Sequence, residues 1–302
     1  MAIRSLPPPL PSRAPGCCSG PSWHARALLV YAIACCSYVA PAHTGDSRGQ
    51  AITVEDGIVL VDAMVNGRGP FRMVVDTGGA ACILSPAAAR KAGVVYDHRT
   101  ILATLGGERP VPATSNSVIQ VDGQREPGVE LAVAEIPQFR ALRSRSDGVL
   151  GQSFLSRTPY LIDYRKRRIW FGDAATQESN RLPLAMATGG MGGRIVVPVV
   201  LEPGGRTWRL TLDSGARHMV VECRAGCPDG RRTSERLITY AGEHPISRST
   251  FTRVRVGGIA MPTMDALIVN AAPPDNQDEG VLPTRWFSAV YVDSLTLKLA
   301  AP

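Results

Sequence analysis

"MVVDTGGAACILS", residues 73–85, decides how this 302-residue chain is read. An apolar run of the kind that fills a buried strand stops at Asp76, and a small hydroxyl residue and a glycine follow at once. The same plan returns in "LTLDSGARHMVV", residues 210–221, where Asp213, Ser214 and Gly215 take the places of Asp76, Thr77 and Gly78. A single aspartate at the end of a strand is ordinarily a cap or turn residue. Two at matching places in one chain ask for another reason.

Working outward from the two aspartates, the whole chain is written twice. Upstream, "IVLVDAMVNGRGPFRMVVD" and "IVVPVVLEPGGRTWRLTLD" each begin at an isoleucine, Ile58 or Ile195, alternate apolar residues, and turn at Asn66-Gly67 or at Pro203-Gly204-Gly205. These segments predict two β-hairpins in equivalent register. Downstream, "SDGVLGQSFLSRTPYLIDYRKRRIWF" (146–171) parallels "DEGVLPTRWFSAVYVDSLTLKL" (278–299), each carrying a Gly-Val-Leu strand. Between them lie "LATLGGERPVPATS" and "LITYAGEHPISRST", where a glycine-bearing turn joins two extended segments. The organisation expected is a leader at 1–42, a first lobe at 50–172, a linker at 173–193 ending in "TGGMGG", and a second lobe at 194–302. The run "SPAAARKAG" at 85–93 is the one helical piece expected in the first lobe.

Composition agrees with a mostly β protein. Hydrophobic residues make up 44% of the chain, while 30 glycines and 24 prolines punctuate many short apolar runs. The formal charge of +7 includes three leader arginines; without them 30 basic side chains face 26 acidic ones. That surplus is scattered, and "RKRR" at 165–168 fits a solvated hairpin end, so no nucleic-acid partner is expected. Residues 25–42, "ARALLVYAIACCSYVAPA", join a basic flank to a short apolar core and an Ala40-Pro41-Ala42 end that resembles an export cleavage site. The core is too short for a comfortable membrane span. Lipid attachment at Cys35 is a second route, and either one takes the mature chain out of the cytoplasm to the periplasm or beyond. Outside the leader stand Cys82, Cys223 and Cys227. The last two can close a small local disulfide, and two cysteines alone make a poor metal site. Cys82 fits a small buried hydrophobe.

When two copies of a lobe pack about an approximate twofold axis, residues near that axis face their own counterparts. Asp76 and Asp213 are therefore expected to meet. At about 4 Å, with an effective dielectric near 20, two carboxylates repel by roughly 4 kcal/mol, so the pair shares one proton. Such a pair offers a general base and a general acid over the same pH range. Gly78 and Gly215 let backbone N–H groups approach the carboxylates, and the hydroxyls of Thr77 and Ser214 can tie one loop to the other.

These loops, with the Gly-Val-Leu strands that follow, resemble the aspartic peptidases of the retropepsin and pepsin type, above all bacterial exported retropepsin-like proteins. The likeness covers about 55–172 and 194–299. It implies two homologous retropepsin-like (acid protease) β-barrel lobes in one monomeric chain with the active cleft between them. It further implies a water activated by Asp76 and Asp213 for peptide-bond hydrolysis, with no metal or organic cofactor. By the same resemblance, Leu105-Gly106-Gly107 and Tyr240-Ala241-Gly242 are the tips of flaps over a peptide or protein substrate. The chain departs from the family pattern at Gly79, at Arg217-His218 and at Pro283, which stands where the first half has Gly151.

Other chemistries are thinly represented. "GQSFL" at 151–155 lacks the second glycine of a nucleophile elbow, so Ser153 is expected to be structural. His24, His43, His98, His218 and His244 show no ligand spacing. The phosphate loop of sugar kinases and actin needs helices where this sequence supplies hairpins. The competing possibility is a two-lobed β protein that binds peptides in the same cleft without cutting them.

Overall fold

The two hairpins form as their turns dictate. Asn66 and Gly67 hold φ of 53° and 72°, the left-handed pair that a two-residue hairpin turn requires. Ile58–Val65 thus returns as Arg68–Val75, with Leu60 beside Val74. In the second half Val196–Glu202 returns as Thr207–Asp213, with Val197 beside Leu210. The structure is a computed structural model that describes residues 48–104, 107–187, 194–223, 226–239, 242–270, 278–294 and 296–302.

The chain is mostly β and forms two lobes. An eight-stranded sheet is built from the first half and a nine-stranded sheet from the second. Met73, Val74 and Val75 are buried on both faces of their strand, as are Leu210, Thr211 and Leu212 on theirs. Continuous apolar runs are what doubly covered strands need. Beside each runs a Gly-Val-Leu strand in parallel: Val75 pairs with Leu150, and Leu212 with Leu282. Glycine leads these strands because the backbone of a third strand presses on them. A Cβ on Gly148 would lie 2.4 Å from the Ile83 carbonyl oxygen, and one on Gly280 1.9 Å from that of Val220.

A third sheet of six strands draws on both halves. Its order is Gln50–Ala51, Arg168–Phe171, Tyr160–Asp163, Ala289–Val292, Leu297–Ala300 and Ala185–Ala187. The halves join where Ile162 pairs with Val290. Phe154, Tyr160, Leu212, Phe287 and Val290 belong to one buried cluster, so a single apolar core runs under both aspartate loops.

Pro86–Ala92 is helical, capped by the Ser85 hydroxyl, which accepts from the Ala88 amide, and closed by Gly93 at φ 65°. The expectation of one helical piece in the first lobe is corrected by a second, Gln152–Leu155. Four residues show no helical period in sequence; this turn forms because the Gly79 and Ala80 carbonyls capture the amides of Gln152 and Ser153. A further helix, Gly172–Ser179, covers the six-stranded sheet. Among the described residues no helix is long and apolar enough to cross a membrane. Cys223 and Cys227 form a disulfide with Cα atoms 5.5 Å apart, and Cys82 is a free, buried thiol pushed up to about 11 by burial. Residues 1–42, with Cys35 and the export-like end, lie outside the described residues.

Candidate active site

The two aspartate loops are tied together by four hydrogen bonds between lobes. The Ser214 hydroxyl accepts from the Thr77 amide at 3.1 Å and donates to the Val75 carbonyl at 2.6 Å. Reciprocally, the Thr77 hydroxyl accepts from the Ser214 amide at 3.0 Å and donates to the Leu212 carbonyl at 2.8 Å. Both side chains are buried. Every donor and acceptor in the crossing has its partner, the condition under which a buried polar network is rigid.

Above this crossing stand Asp76 and Asp213, both half-buried. Each carboxylate receives the amide two residues on: Gly78 to Asp76 Oδ1 at 3.0 Å, and Gly215 to Asp213 Oδ1 at 2.6 Å. The glycines are there for space. A Cβ on Gly78 would lie 2.8 Å from Asp213 Cγ; one on Gly215 would lie 3.2 Å from both Asp213 Oδ1 and Asp76 Cγ. The two carboxyl groups therefore border the same small volume. Burial first, and then the charge of Asp76, holds the Asp213 carboxyl well above the ordinary carboxylate range. A carboxyl held above its ordinary range beside a second one is the pattern expected of a pair that holds one proton between them.

Residues 61–154 match the protein-family model described as aspartyl protease. No curated protein matches the chain. The matched span supports a peptidase-like family and holds the first aspartate loop, the strand Gly148–Leu150 and the turn after it. The second loop, Asp213–Gly215, lies outside that span and is related to the first by the internal repeat and the hydrogen bonds above.

Support for the first aspartate loop comes from a residue that sequence reasoning passed over. Gln152, buried, donates from Nε2 to the Thr77 carbonyl at 2.8 Å. Its place in the second half falls to Thr284, whose hydroxyl hydrogen-bonds the Tyr164 phenol; burial pushes that phenol up, and Asp213 adds to the shift. The signal was "GQSFL" itself, weighed for its serine and not for its glutamine. Ser153 is structural: its hydroxyl accepts from the Cys82 amide and donates to the Glu130 carbonyl. Gly79 is demanded by space, since a Cβ there would lie 2.8 Å from Asp76 Oδ2. Of the expected flap tips, Gly107 begins a strand paired with His98–Thr104 and Gly242 begins one paired with Arg231–Thr239. Leu105, Gly106, Tyr240 and Ala241 lie outside the described residues.

Proposed function

We propose that this chain is an aspartic endopeptidase that hydrolyses peptide bonds with a water activated between Asp76 and Asp213. The observation that carries this is the meeting of two carboxyl groups, one holding its proton far above the usual range, over a crossing in which no polar group is left unpaired. Asp213 carries the shared proton, which leaves the Asp76 carboxylate to take one from water as its oxygen attacks the peptide carbonyl carbon. Protonated Asp213 hydrogen-bonds the carbonyl oxygen as negative charge builds there. On collapse of the tetrahedral intermediate the carbon–nitrogen bond breaks and the amine leaves with a proton from the pair. Thr77, Gly78, Ser214 and Gly215 hold the two carboxylates in place, and the hairpins ending near 105–107 and 240–242 close over substrate. Because one chain supplies both aspartates, a monomer suffices. The export-like leader and the Cys223–Cys227 disulfide favour work outside the cytoplasm.

The test is incubation of the purified chain with a diverse peptide mixture across pH 3 to 8, beside Asp76→Asn and Asp213→Asn. Cleavage is expected from the unaltered chain alone, while all three fold and bind peptide alike. Cleavage that persists in the double variant removes the two aspartates from the reaction. Binding without cleavage by the unaltered chain identifies a peptide-binding cleft instead.

A further inference from the structure

The segments that follow the two aspartates differ in charge. Four and five residues after Asp213 come Arg217 and His218; the same places after Asp76 hold Ala80 and Ala81. The strand register that sets Val75 against Leu150 and Leu212 against Leu282 makes Arg285 the counterpart of Ser153. The first lobe spends Ser153 on two backbone groups. The second lobe puts a cation there.

Arg217 and Arg285 converge on one turn of the opposite lobe. Arg217 Nη1 lies 3.6 Å from Asp56 Oδ2, a loose pairing with a carboxylate that is 72% exposed. Its other nitrogen, Nη2, is buried without a hydrogen-bond acceptor among the described residues. Arg285 lays its stem against Gly57, where a Cβ would lie 2.0 Å from the arginine Cδ, and its guanidinium is exposed near the Trp286 ring. Arg285 has no ion-pair partner among the described residues. A third arginine, Arg248, is held by Glu235 at 2.6 Å. Burial together with Arg248, Arg285 and Arg217 lowers the pKa of His218, a sign that positive potential collects at this point against the weaker pull of Glu235. A buried guanidinium N–H without an acceptor is costly, and a carboxylate is the group whose two oxygens match its fork.

We propose that Arg217 and Arg285 form a subsite for a carboxylate on the peptide, so that cleavage favours chains with Asp or Glu at one position beside the scissile bond. This rests on the peptidase reading above and adds to it a substrate class. The entering carboxylate displaces the exposed Asp56 from Arg217 Nη1 and takes the unpaired guanidinium of Arg285. Because the first lobe offers alanines at the matching places, the selectivity falls on one side of the bond only.

The test compares end-blocked peptide pairs that differ only in Glu against Gln at each position around the cleaved bond. The unaltered chain is expected to show a kcat/KM ratio of at least about tenfold in favour of Glu at one position. That ratio should fall to about one in Arg217→Gln and in Arg285→Gln, and Arg285→Glu should turn the preference toward Lys. Peptides with a free C-terminus form a second arm, in which a preference lost on amidation assigns the subsite to a chain end instead of a side chain. A ratio near one at every position, or a Glu preference that survives both arginine substitutions, overturns the subsite. Calorimetry of the same pairs on Asp76→Asn separates recognition from cutting. Glu-selective binding with no cleavage by the unaltered chain defeats the peptidase assignment and leaves the subsite standing; cleavage without Glu-selective binding does the reverse.

Discussion

Thr77 and Ser214, 137 residues apart in the chain, each satisfy the other's buried amide with a hydroxyl oxygen. Each hydroxyl also donates to the carbonyl that precedes the other's aspartate. Removing either one leaves a buried N–H and a buried C=O without partners. Thr77→Val and Ser214→Ala should therefore each lower unfolding free energy by about 2–4 kcal/mol, from two unmet groups at about 1–3 kcal/mol apiece less relaxation. In a double-mutant cycle followed by urea denaturation, the pair should show a coupling of about 0.5–3 kcal/mol. Additive losses would mean that the two loops hold their shape independently.

Gly79→Ala probes placement of a carboxylate without touching it. The new methyl would sit 2.8 Å from Asp76 Oδ2 and 2.9 Å from Cγ, so the carboxyl group must rotate or the loop must shift. A displacement near 1 Å in a positioned group is worth about 100-fold in rate. The expected result is a 10- to 100-fold fall in kcat/KM with the thermal midpoint within a few degrees of the unaltered chain. Unchanged turnover would show that Asp76 has slack.

Acidity should govern turnover through Asp213. Its folded pKa is raised, so the form with one shared proton exists below that value and is lost as pH rises through it. Activity is expected to extend above the ordinary carboxylate range, to fall on its alkaline side as the last shared proton leaves, and to fall on its acid side when both groups are protonated. A pH profile of kcat/KM reads both limbs. A rate that keeps climbing through pH 9 would contradict a shared proton.

Glu222 supplies a second pH effect, away from the pair. Burial, and then the charge of Asp278, push its carboxyl up to about 7. A folded value above the unfolded one means that its contribution to stability is complete below about pH 4 and is lost as pH rises through 7. Glu222→Gln should thus cost little or nothing at pH 8, where the native carboxylate is a burden of about 1–3 kcal/mol, and should flatten the fall in stability between pH 5 and 8. Thermal midpoints at four pH values suffice to check the slope.

What could be read from the sequence was whatever repeats or turns locally. The two Asp-Thr/Ser-Gly loops, the Asn66-Gly67 turn and the Gly-Val-Leu strands announce themselves within a few residues, because strand alternation and left-handed turns are properties of short segments. Gln152 did not, since its side chain acts on a carbonyl 75 residues away. The same holds for His98, which shows no ligand spacing in the sequence yet stands between Asp97 and Glu130, so that its pKa is raised by both carboxylates. Nor does any local pattern say that Arg217 reaches Asp56, or that Tyr160–Asp163 will lie beside Ala289–Val292. Those pairings are set by how the halves pack.

The strand Leu297–Ala300 sits inside the six-stranded sheet, between Ala289–Val292 and Ala185–Ala187. A growing polypeptide lays down its first carboxylate loop long before the second at 213, and longer still before the ribosome reaches residue 297 and the last strand of the floor is made. Synthesis order thus sets an order of completion: the two loops can be tied only after residue 214 has emerged, and the sheet beneath them closes only after residue 300.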